Sequence, residues 1–297
     1  MPSLVEPPSL RPLTRREFEQ FRQLARETIG LDLRDGKEPL VAARLGKVAG
    51  RLQLRSYQEY YDYVLADRTG QALLAMIEAL TTHHTGFLRE PAHFEFLAQI
   101  AFSEWRACEQ IRIWSAGCSS GEEAYSIAFY LLDCGALPAT RIHIFATDIS
   151  SRMLDIARAG VYPAEHLAHL PPHWLSKYLL KGRGRSANLF RVKPEVQRMI
   201  TFERLNLVEP FPPLAPFSVI FCRNVMIYFD RPTQESLVTR AAALLEPGGY
   251  LFIGHSESLL GLKQPLSYVQ PAIYRKSLNS GAPLSPYARE RKGAANW

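Results

Sequence analysis

The sequence predicts an α/β protein, a doubly wound and mostly parallel sheet preceded by an all-helical segment. Three observations carry this. From Ile111 onward, β-branched and aromatic runs alternate with helical patterns. Ile111 to Ser126, IRIWSAGCSSGEEAYS, reads as a strand, a turn of small residues and a helix start, the first crossover of such a sheet. The first eighty residues carry helical periodicity and capping signals but no strand signal.

Residues 1–13 are proline-rich and are predicted to be disordered. Thr14 and Glu17 form a capping box for a helix with Phe18, Phe21, Ala25 and Ile29 on one face, ended by Gly30. A second helix is predicted over Pro39 to Leu52, a third from Ser56 through Val64 and a fourth over Gln71 to Leu80, so 14–80 is assigned to a helical domain. Pro91 to Arg106 then reads as a helix leading into the strand at Ile111, and the helix from Glu122 breaks at Cys134-Gly135. Ile142 to Thr147 is a second strand, ending at Asp148, with a helix over Ser151 to Arg158. Leu189–Val192 and Met199–Phe202 are short strand candidates, read as a hairpin with its turn near Pro194. Phe217 to Cys222 is a buried strand, Thr233 to Leu245 a helix, Tyr250 to Gly254 a strand and Tyr268 to Tyr274 the last one. The second domain is assigned to 81–276, and 277–297 to a disordered tail.

A 47% hydrophobic content suits a globular chain with a sizeable core. No apolar run approaches the ~18 residues of a membrane span, and MPSLVEPPSLRPL lacks a signal peptide's apolar stretch. The expectation is a cytoplasmic protein with no membrane insertion. Cys108, Cys118, Cys134 and Cys222 have no CxxC spacing, so no metal site or disulfide framework is predicted.

The formal charge of +6 is uneven. Ser176 to Arg198 holds seven basic residues, including Arg191, Lys193 and Arg198, against one acid, Glu195. Arg44, Lys47 and Arg51 project from one face of the second helix. Both clusters suit an acidic partner or nucleic acid, and plain solvated surface fits either equally well.

Ligands of doubly wound sheets sit beyond the carboxyl ends of the strands. The residues placed there are Gly117 to Glu123, Asp148, Asn206 and Arg223-Asn224. There is no GxGxxG, and two carboxylates, Glu122 and Glu123, stand where a pyrophosphate would rest. This argues against NAD and fits S-adenosylmethionine, whose sulfonium and amino groups are cationic. Asp148 is suited to adenosine hydroxyls; its other reading is a cap for the helix near Ser151.

Five strings in order, TTHHTGFLRE (81–90), WSAGCSSGEEAYSIA (114–128), FATDISSRMLDIARAGVY (145–162), FCRNVMIYFDRPTQ (221–234) and GHSESL (254–259), resemble the CheR-type chemotaxis receptor methyltransferases. The resemblance covers nearly all of 14–276. It implies a Rossmann-like S-adenosylmethionine methyltransferase sheet with a small antiparallel β-insert, about 176–202, after an all-α domain. It also implies methyl esterification of glutamate side chains on the acidic helical cytoplasmic region of chemoreceptors. By matching position, the cofactor residues are His83, Thr85, Arg89, Glu123, Asp148, Asn206, Leu207, Arg223 and Asn224, and Arg89 and Tyr228 act on the reacting groups. His83 departs from the family pattern, which carries an asparagine there; an imidazole cannot replace both the donor and the acceptor of an amide. In the family the insert captures a short acidic peptide at the receptor C-terminus, which gives Arg191 and Arg198, with Lys193 secondary, as contacts. The other two readings are a nucleic-acid methyltransferase and a non-catalytic S-adenosylmethionine-binding module. Cys222-Arg223-Asn224-Val225, in place of an Asn/Asp-Pro-Pro-aromatic string, argues against the first; intact Arg89, Glu123 and Asp148 argue against the second.

Overall fold

The structure, a computed structural model, describes residues 10–278. The expectations for 1–9 and 279–297 lie outside the described residues. Among the described residues two compact units are present: 10–82 together with Tyr228–Thr233, and His83–Ile227 together with 234–278.

The first unit contains helices α1 (Arg15–Ile29), α2 (Glu38–Arg51), α3 (Tyr57–Ala66) and α4 (Gln71–Leu80). Thr14 Oγ1 accepts the Glu17 N–H at 3.2 Å and Glu17 Oε2 accepts the Thr14 N–H at 2.8 Å, so the capping box forms. Glu17 Oε1 also takes the Gln58 N–H at 3.0 Å, which ties α1 to α3. Burial raises the Glu17 pKa, but these hydrogen bonds outweigh it and the net shift is downward. Phe18, Phe21, Leu45, Tyr60 and Met76, drawn from all four helices, are fully enclosed.

Arg44 does not stand free on α2. Its guanidinium donates to Leu80 O at 2.5 Å, Thr81 O at 3.2 Å and Thr82 Oγ1 at 3.0 Å, capping carbonyls that the end of α4 leaves unpaired. Lys47 and Arg51 are exposed. In the later segment of this unit, the Asp32 N–H donates to Tyr228 O at 2.8 Å and Arg26 pairs with Asp230 at 2.6 Å.

The second unit opens with α5 (Ala92–Ser103), β1 (Ile111–Ala116), α6 (Glu122–Cys134), β2 (Ile142–Asp148), α7 (Ser151–Ala159) and β3 (Val161–Pro163). Then come α8 (Pro172–Tyr178), β4 (Leu179–Lys181), β5 (Leu189–Val192), the one-turn α9 (Pro194–Gln197), β6 (Ile200–Arg204) and β7 (Phe217–Cys222). After these come α10 (Arg231–Leu244), β8 (Leu245–Ile253), β9 (Leu266–Gln270) and β10 (Ile273–Lys276). The main sheet has the order β6-β2-β1-β7-β8-β10-β9. β6, β2, β1, β7 and β8 are parallel, while β10 runs antiparallel to β8 and to β9. Every residue of β7 is buried, as expected of a strand covered on both faces. β1 lies between β2 and β7, so the strand order reverses there, and ligands of such sheets sit beyond the carboxyl ends of the strands at that point.

Two strand expectations change. Met199–Phe202 does not pair with Leu189–Val192: β6 lies parallel to β2, with Ile144 opposite Ile200. β5 instead pairs antiparallel with β3 and β4 in a three-stranded sheet of order β3-β5-β4. Met199 and Ile200 are 5% and 8% exposed, so pairing on the edge of β2 buries apolar surface that a solvent hairpin would leave wet. Tyr268–Tyr274 is not one strand but the end of β9, a turn and the start of β10. Pro271 cannot donate to the ladder and Ala272 adopts φ 63°.

Candidate cofactor site

The turn after β1 shapes the site. The Gly117 and Cys118 N–H groups both donate to Thr147 O, at 2.8 and 2.9 Å, which folds the turn back over the end of β2. Gly117 and Gly121 have φ of 84° and 94°. A Cβ on Gly117 would stand 2.5 Å from Val225 Cγ2, and one on Gly121 2.8 Å from Ala157 Cβ. Only glycine allows this turn to approach the Arg223–Val225 segment and α7.

Asp148 ends β2 and is 8% exposed. Its carboxylate accepts the Ser119 N–H at 2.8 Å and the Ser150 N–H at 2.9 Å, so it fixes the turn and the entry to α7 together. Desolvation raises its pKa, although these N–H bonds and nearby His83 favour the anion. The expected helix cap is a different residue: Ser150 Oγ takes the Met153 N–H at 3.2 Å. His83 joins through its backbone, its carbonyl accepting from Ser119 Oγ at 3.1 Å. Thr85 is half-buried in the same stretch.

Glu123, in the first turn of α6, accepts Ser115 Oγ at 2.7 Å and Arg223 Nη1 at 2.9 Å. The Arg223 side chain is 1% exposed. Its Nη2 donates to Glu90 Oε2 at 2.9 Å and to the Arg89 carbonyl. One guanidinium between two carboxylates leaves a formal charge of minus one. Burial would raise the Glu90 pKa, yet the Arg223 charge and hydrogen bonds from Arg223, His255 N and Asn224 Nδ2 lower it on balance. Its stabilising contribution is therefore present above the ordinary carboxylate range and is lost as pH falls through its lowered value.

Glu257 holds the loop after β7. Its carboxylate takes the N–H groups of Gly254 at 2.6 Å, Asn224 at 2.9 Å and Ile227 at 3.2 Å. Asn224, at φ 59°, turns its Nδ2 to Glu90 Oε1 at 3.4 Å. Burial raises the Glu257 pKa despite those bonds. His93 is buried beside Arg223, and desolvation followed by the Arg223 charge pushes its pKa down to about 3, so its ring is neutral.

The structure thus gathers these residues into two hydrogen-bonded groups, Asp148 and His83 joined through Ser119, and Glu123, Arg89 and Asn224 joined through Arg223 and Glu90. Arg89 enters through its carbonyl, while its Nη1 donates to His84 O at 3.0 Å. Asn206 begins one residue after Leu205, whose N–H donates to Asp148 O at 3.1 Å; its side chain bonds Glu209 Oε1 at 2.8 Å. Leu207 is buried, its carbonyl held by Arg240 Nη2 at 2.6 Å. Tyr228 falls in the first unit and belongs to neither group. Sequence reasoning missed Glu90 and Glu257, although both lie inside strings quoted above.

The CheR methyltransferase SAM binding domain family matches residues 83–274, and the CheR methyltransferase all-alpha domain family matches 16–81. The chain is 38% identical over 262 residues to chemotaxis protein methyltransferase 2 of Pseudomonas aeruginosa, covering 88% of this chain and 93% of that one. It is 38% identical over 261 residues to the chemotaxis protein methyltransferase of Salmonella typhimurium (88% and 90% covered) and 37% over 261 residues to that of Escherichia coli (88% and 90%).

Gly121→Ala forces a side chain into φ 94° and against Ala157. It should cost about 1–3 kcal/mol of stability, read from urea unfolding; an unchanged midpoint would contradict the glycine argument.

Proposed function

This chain belongs to the CheR methyltransferase family, and on that premise we propose that it methylates glutamate side chains on the acidic cytoplasmic helices of chemoreceptors. S-adenosylmethionine is the methyl donor. The observation that carries the reading is the match of both domains, together with an anionic network beyond β1 that suits a cationic donor and would repel a pyrophosphate.

The donor supplies an electrophilic methyl group and leaves as a neutral thioether. Glu123, Asp148 and Asn206, with Leu207, Asn224 and His83–Thr85, would hold it, and Arg223 keeps Glu123 in place. The acceptor glutamate is already an anion at neutral pH, so no side chain here has to take a proton. What the chain contributes is orientation and the exclusion of water, for which effective molarity supplies roughly 7–11 kcal/mol in favourable cases. Arg89, with a half-exposed side chain and its Nη1 on His84 O, is suited to orient the acceptor carboxylate. Tyr228 is assigned to the reacting groups by the family resemblance alone.

Receptor docking rests on charge. Lys47 and Arg51 are exposed on α2, Arg51 with its Nε on Lys47 O at 3.3 Å, and would face acidic helices, whereas Arg44 serves the fold. In the insert, Arg191 and Arg198 are exposed, while Lys193 Nζ is bonded to Lys177 O at 2.8 Å. β5 is the central strand, so the edges able to add an extended acidic peptide are β3 and β4.

Two measurements test this. Incubation with labelled S-adenosylmethionine and receptor cytoplasmic fragments should give base-labile methyl esters on glutamate; label absent, or stable to base, would refute the activity. Changing Arg191 and Arg198 together to Glu should weaken receptor-fragment affinity and flatten its salt dependence while leaving cofactor affinity intact. Unchanged affinity and salt slope would remove the insert from docking.

A further inference from the structure

Beside the Arg223 network, three side chains bring metal-ligating atoms close together. Glu90, His93 and His255 each present one ligand atom, and these atoms lie within 4.8 Å of one another. His93, on α5, is 1% exposed, and neither of its ring nitrogens has a hydrogen-bond partner. A buried imidazole left so costs desolvation with nothing to offset it.

The spacing fits a metal better than a hydrogen bond. His93 Nδ1 stands 3.4 Å from Glu90 Oε2. A tetrahedral zinc ion with bonds of about 2.0–2.1 Å separates its donors by about 3.3–3.4 Å. The His255 ring meets the His93 ring at 75° with centroids 4.8 Å apart. His255 is exposed, so its rotamer is not fixed by packing in the core. Glu90 is already oriented, its Oε2 by Arg223 Nη2 at 2.9 Å and its Oε1 by the His255 N–H at 3.2 Å, as metal-binding carboxylates usually are. The Arg223 charge opposes a cation, and Glu90 and Glu123 offset it.

We propose that Glu90, His93 and His255 form a binding site for one divalent cation of the zinc type, with water as the fourth ligand. Two imidazoles and one carboxylate favour Zn²⁺ over Mg²⁺ or Ca²⁺, which prefer all-oxygen shells.

The test titrates the full-length chain with Co²⁺, followed by visible absorption, and then displaces it with Zn²⁺. One equivalent should bind with the spectrum of a four-coordinate ion and be displaced by Zn²⁺. His255→Ala should weaken Zn²⁺ binding by at least about tenfold, and His93→Gln should do the same in protein with an unchanged circular dichroism spectrum. His255 is on the surface, so its variant decides the matter even if His93→Gln does not fold. Failure of the wild type to take up one equivalent at micromolar Zn²⁺ overturns the proposal. So does wild-type affinity in His255→Ala, which would assign the ion to other groups such as His173 beside Asp133.

Discussion

Arg223 carries a permanent positive charge to the carboxyl end of β7, where almost no water reaches it, and Glu90 and Glu123 hold it there. An unpaired guanidinium at this depth would be prohibitive, and breaking such a buried pair typically costs about 3–5 kcal/mol. The three side chains come from separate parts of the chain: the stretch before α5, the first turn of α6 and the loop after β7. Satisfying one charge therefore forces three segments together. Its Nη1 and Nη2 are committed to the carboxylates and the Arg89 carbonyl, while its Nε has no hydrogen-bond partner among the described residues.

Other parts of the site follow from that constraint. With Glu123 fixed by Arg223 and Ser115, the turn from Gly117 to Gly121 can close only with glycines at its ends, and Asp148 then anchors its middle through the Ser119 N–H. Glu257 does for the loop after β7 what Asp148 does for the turn, gathering three backbone donors on one carboxylate. The surplus negative charge suits a sulfonium donor, and the reaction asks for placement and not for proton transfer.

Much of this was legible in the sequence because it is local. The turn after β1 announces itself through adjacent small residues, and Thr14 with Glu17 sets its own capping box. What escaped depends on distant partners. Glu90 meets Arg223 across 133 positions, and Arg44 finds the end of α4 across 36, so charge spacing along α2 could not reveal it. β6 has an evident strand pattern, but its partner is chosen by burial against β2. β3 and β4 have three residues each, too few to show a period.

If the buried ion network sets the shape of the cofactor site, a residue assigned no contact with the cofactor should still control its affinity. Calorimetric titration of S-adenosylmethionine into a folded Glu90→Gln protein tests this most directly. Affinity should fall at least about tenfold below wild type, or about 1.4 kcal/mol, because Arg223 loses half its counter-charge and one of the two carboxylates that position it against Glu123. Wild-type affinity in that variant would contradict this role of the network.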